Sequence, residues 1–81
     1  MEAYTLKKRK HTNELHLFKG RMINANRCNS LDISICSKMD KSQSEGNTFT
    51  CFNEDEARIT CAQLGRDVCG SCVSHLYANN D

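Results

Sequence analysis

The chain has 81 residues, 26 % of them charged, yet its formal net charge is only +1. Hydrophobic residues make up 38 %, with two tyrosines, three phenylalanines and no tryptophan. That length excludes more than one domain, and so thin an apolar content excludes a large self-sufficient core. Domains this small are commonly held by disulfides or by a metal, and the six cysteines supply the means for either.

The charge is unevenly spread. Residues 1–27 carry seven basic side chains against two acidic ones, whereas residues 28–81 carry four against eight. The chain therefore reads as a basic N-terminal β segment or arm (1–27) joined to a cysteine-bearing module (28–81), within one folded domain. Lys7, Lys8, Arg9 and Lys10 are consecutive, and Lys19 and Arg21 follow. Cations this dense can neutralise phosphates, so these six residues are the candidate nucleic-acid contacts. The same run reads equally well as a solvated edge strand blunted by lysines. No apolar run approaches the roughly 20 residues needed to cross a membrane. The opening residues also lack the apolar stretch of an export signal. The expectation is thus a cytoplasmic protein, and in a reducing compartment a close cysteine pair points to metal rather than to a bridge.

In chain order, Leu15 and Leu17 alternate with polar neighbours as in a half-buried strand, with Gly20 able to turn the chain beyond them. Leu31, Ile33 and Ile35 fall at every second position and predict a strand over 31–35. Residues 40–47 are small, polar and turn-prone, and 48–52 is β-branched and aromatic. The pattern predicts a central hairpin pairing 31–35 with 48–52. Asn53 followed by Glu56 is a capping-box signature, and Glu54, Asp55 and Glu56 suit the positive end of a helix dipole. Ala57, Cys61 and Leu64 share one face of that helix, Ile59 points away from it, and Gly65 terminates it. A second short helix is expected from about Ser71 to Tyr77. The fold class is α+β.

Cys69 and Cys72, two residues apart with a glycine between, can point at one ion. Cys61, on the core face of the capped helix, reads as a small apolar residue. Cys51, beside Phe49 and Phe52, is ambiguous, with packing favoured. Cys28 and Cys36 lie at turn-like positions at the two ends of the expected 31–35 strand. Cys28, Cys36, Cys69 and Cys72 then make a four-thiolate set suited to structural zinc. Cys51, Cys61 or His75, three residues beyond Cys72, can replace one member.

A metal-binding turn, a hairpin and a Cys-x-x-Cys at the start of a helix resemble the treble-clef zinc fingers. The resemblance covers residues 28–77 and is specific at Cys69-Gly70-Ser71-Cys72. In that family the first ligand pair is usually separated by two residues; here seven separate Cys28 from Cys36. The resemblance implies a zinc-stapled scaffold and no particular activity.

Four thiolates leave no open coordination position for a water, and no nucleophile–base pair or phosphate-cradling glycine loop is present. The expectation is a non-enzymatic binding module that contacts nucleic acid through its basic segment, with no small-molecule substrate. The alternative is a small protein-binding regulator or inhibitor, of the accessory or viral kind, that grips a host enzyme or transcription component. A disulfide-bonded secreted domain is the third reading.

Overall fold

A computed structural model describes residues 2–24 and 27–78. β1 (Glu2–Arg9) and β2 (Leu15–Asn24) form an antiparallel hairpin in which Leu6 pairs with Leu17 and Thr5 with Phe18. Its turn is closed by Arg9 N–H donating to Glu14 O at 2.9 Å, with His11 in the left-handed region at φ 64°. β3 (Arg27–Ser30) adds to the far edge of β2 and β4 (Ser44–Phe52) to the far edge of β1, giving the order β3-β2-β1-β4.

The basic segment is thereby neither an arm nor an edge strand. β1 is central, and it is buried without interruption from Ala3 to Lys7. Alternate side chains meet two different environments. Tyr4 and Leu6 join Leu15, Leu17, Ala57, Cys61, Val68, Cys72 and Leu76 in one apolar cluster under the helices. Thr5 and Phe18, cross-strand partners, are buried as well. Gly20 has a steric reason to be glycine: a Cβ there would lie 1.6 Å from Asn29 O on β3.

β4 meets β1 irregularly. Four residues of β4, Phe49 to Phe52, lie opposite the three that β1 uses from Leu6 to Tyr4. Cys51 takes a left-handed φ of 59° at this bulge. The bulge brings the Cys51 thiol to Cys28 of β3, and the two form a disulfide with a Cα–Cα distance of 5.6 Å. The bridge therefore joins the two edge strands of the sheet. Thr5 lies beneath it, accepting from Cys51 N–H at 3.4 Å and placing its hydroxyl 3.9 Å from Cys28 Sγ.

The predicted pairing of 31–35 with 48–52 is corrected. Residues 48–52 pair with β1 instead, and 31–35 runs irregularly along the outer edge of β2. Leu31 N–H donates to Lys19 O and Ile35 N–H to Leu17 O, each at 2.8 Å. The chain then folds back on itself, with Ser34 N–H to Met39 O at 2.8 Å and Lys41 N–H to Asp32 O at 2.7 Å. Ser34 Oγ accepts from Met39 N–H at 3.2 Å, a local side-chain bond that competes with a regular ladder. The alternation misled because Leu31 and Ile33 remain exposed while Ser34 and Cys36 are buried.

The helices follow their sequence signals. α1 (Glu54–Leu64) has the reciprocal Asn53–Glu56 capping box, buries Ala57 and Cys61, and ends at Gly65 with φ 58°. Ile59 is exposed. α2 (Gly70–Ala78) begins directly after Cys69 and buries Cys72 and Leu76.

Candidate metal centre

The outer edge of β2 is covered in succession by three segments. β3 pairs with its C-terminal half, residues 31–35 with its middle, and the approach to α2 with its start. At that start Leu15 forms a parallel bridge with Val68, and Cys69 N–H donates to Leu15 O at 2.8 Å. Two strand positions on, Leu17 O holds Ile35, and Leu17 N–H donates to Cys72 Sγ at 3.3 Å. The backbone bonds flanking His16 thus fix Ile35, Cys69 and Cys72, and Cys36 follows Ile35. His16 lies between them in sequence and in space.

His16, Cys36, Cys69 and Cys72 place one ligand atom each within 4.8 Å of all the others. His16 Nδ1 is 3.5 Å from Cys36 Sγ and 3.7 Å from Cys72 Sγ, and Cys69 Sγ is 4.0 Å from Cys36 Sγ. A tetrahedron with zinc–sulfur and zinc–nitrogen bonds of ordinary length has S···N edges of about 3.6 Å and S···S edges of about 3.8 Å. The four residues therefore lie close enough to hold a metal ion, and their donor chemistry suits zinc.

The surroundings favour a thiolate at Cys36 and a neutral thiol at Cys72. Burial pushes the Cys36 thiol up, but hydrogen bonding, first by Ser34 Oγ and then by the Lys38 backbone, outweighs it and brings the group down to about 6. Burial pushes the Cys72 thiol strongly up, opposed by the Leu17 N–H and reinforced by Cys36 beside it. Close thiolates repel one another, and a divalent cation removes that repulsion. His16 is buried, and its Nε2 lies 2.5 Å from Glu14 Oε1.

Cys28 is not part of this cluster. The four-thiolate assignment is corrected at that position: Cys28 is bonded to Cys51, and His16 stands fourth among the donors. The reason is that Cys28 pairs with Met22 in the C-terminal half of β2, within reach of the Cys51 bulge and away from the start of β2 where the cluster forms. His75 is exposed on α2 and Cys61 is buried under α1, so neither enters the cluster. The helix-side pair sits at the start of α2 as in the zinc-finger class, whereas the other two donors come from a strand and a loop. One signal for His16 was present: it interrupts the apolar run Leu15-His16-Leu17-Phe18, and a histidine buried in such a run needs polar partners.

The six basic candidates do not converge. Lys7 is buried, with Nζ donating to Asn47 Oδ1 at 2.5 Å and lying 5.5 Å from the Phe18 ring centroid. Burial holds its ammonium below the usual lysine range. Lys8 pairs with Glu45 at 3.6 Å and Lys19 with Glu2 at 2.9 Å. Arg9 and Lys10 lie at the β1–β2 turn, whereas Arg21 pairs in register with Glu2 at the opposite end of the hairpin. No described helix is long and apolar enough to cross a membrane.

Comparison of the chain with family models, curated proteins and solved structures gives no match.

Proposed function

We propose that this chain is a non-enzymatic binding module stapled by one structural zinc ion on His16, Cys36, Cys69 and Cys72. The observation that carries the reading is the convergence of one histidine nitrogen and three sulfurs, from three separate segments, all within 4.8 Å of one another. A site closed by four protein donors leaves no coordination position to activate a water, which favours a structural over a catalytic role. Zinc content by elemental mass spectrometry tests it. One zinc per chain is expected, lost in Cys72→Ser and His16→Ala but retained in Cys28→Ser. Folded protein without zinc overturns the reading.

For the partner, the observations favour a protein over nucleic acid. The cations are buried, paired or split between the two ends of one hairpin, which gives phosphates no continuous track. Leu31 and Ile33, by contrast, are 61 % and 50 % exposed on the ribbon that carries Cys36. Together with Ile35 they line an open hollow of about 450 Å³. Exposed apolar groups beside a rigid staple suit a protein contact. The check is anisotropy titration with labelled single- and double-stranded oligonucleotides across a salt series. Weak, sequence-independent binding is expected. A steep salt slope abolished by Lys10→Ala and Arg21→Ala would return the assignment to nucleic acid. A reducing cytoplasm fits three thiols kept free for a metal, and the Cys28–Cys51 bridge is the feature that pulls against it.

A further inference from the structure

We propose that Glu14 is a positioning residue of the metal centre, which fixes the tautomer of His16 so that Nδ1 is the coordinating atom. This rests on the zinc reading above and adds to it the choice of nitrogen and the group that makes the choice.

Glu14 Oε1 lies 2.5 Å from His16 Nε2, whereas His16 Nδ1 faces Cys36 and Cys72 at 3.5 and 3.7 Å. An ionised carboxylate can only accept, so Nε2 must carry the proton of the neutral ring. Nδ1 then presents a lone pair to the sulfurs, where an ion would sit. A carboxylate on the second ring nitrogen is the usual companion of a metal-bound histidine, because it orients the ring and makes it a stronger donor.

The carboxylate is itself held in place. Glu14 O accepts from Arg9 N–H at 2.9 Å, and Glu14 N–H donates to Thr12 Oγ1 at 3.2 Å. Thr12 in turn donates its hydroxyl to Arg9 O at 3.2 Å. The β1–β2 turn thus sets Glu14 two residues before His16. The Glu14 side chain is 49 % exposed, whereas that of His16 is 2 % exposed. Substituting Glu14 therefore removes a polar contact and no core packing.

The experiment compares wild type, Glu14→Gln and Glu14→Ala by zinc competition against a chromophoric chelator. Long-range nitrogen–proton NMR of the zinc-loaded proteins reads which His16 nitrogen is protonated. The expected result is a Nδ1-bound, Nε2-protonated His16 in wild type. Zinc affinity should fall by about 10–100-fold in Glu14→Ala, with Glu14→Gln between the two because its carbonyl still accepts. At saturating zinc the Nε2 proton should exchange measurably faster with water in Glu14→Ala than in wild type. Zinc bound through Nε2 in wild type, or unchanged affinity in Glu14→Ala, overturns the proposal and leaves the zinc reading standing. Absence of zinc from wild type overturns both.

Discussion

Two groups of cysteines lie in different parts of this molecule, a disulfide and a cluster close enough to hold a metal ion, and they would act differently. The Cys28–Cys51 bridge ties one edge strand to the other across Thr5, joining residues 23 apart in sequence. Its effect falls mainly on the unfolded chain, whose loop it closes. The His16, Cys36, Cys69 and Cys72 cluster gathers a strand, a ribbon and a helix start around the outer edge of β2. Without an ion these donors are a buried histidine among close thiols, a costly arrangement; with one, they are the clamp that fixes α2 to the sheet. The disulfide limits where the chain can wander, and a metal on the cluster would fix how the parts dock.

The comparison can be broken from either side. Metal removal should have the largest effect, since structural zinc sites carry apparent binding energies of about 10–16 kcal/mol. Chelation, or Cys72→Ser, should abolish the folded circular-dichroism signal even with the disulfide intact. If the chelated protein keeps its sheet, the disulfide is the dominant staple. The double variant Cys28→Ser, Cys51→Ser should cost about 3 kcal/mol in denaturant unfolding and leave zinc stoichiometry unchanged. A concurrent loss of zinc would mean that the two ends are coupled through β2. Gly20→Ala should cost about 1–3 kcal/mol by pushing β3 off β2, and it should strain the Cys28 side of the comparison more than the metal side. Thermal melts of zinc-loaded and chelated protein separate those contributions. Cys61→Ala should cost only about 1 kcal/mol of packing, because burial holds this thiol neutral under α1. His75→Ala, exposed on α2, should change neither stability nor zinc content by a measurable amount.

Short-range signals in the chain were the reliable ones. The Asn53–Glu56 box and the Ala57, Cys61, Leu64 face define α1, because capping and helical periodicity act within a few residues. The spacing of Cys69 and Cys72 places both at the start of α2 for the same reason. Long-range pairing was not legible. Alternation in Leu31, Ile33 and Ile35 marks β propensity, but whether those residues find a partner depends on which strand edge is open. β1 took 48–52, and the outer edge of β2 took 31–35. Lys7 looks like a solvated cation in sequence and is buried in fact, since centrality in the sheet is a property of strand order.

The sequence by itself determined the α+β class, the capped helix, the need for a staple and the helix-side half of the donor set. These rest on composition and on contacts between near neighbours. Only the tertiary structure decided that Cys28 pairs with Cys51 and that His16 joins Cys36, Cys69 and Cys72. Although the order β3-β2-β1-β4 sets β3 and β4 at opposite edges, the folded sheet and its bulge at Cys51 bring the two edge cysteines together, and the segments along β2 set one buried histidine beside three sulfurs. Ligand choice among six cysteines and three histidines is a question of distance, and distance between remote residues is set by the fold.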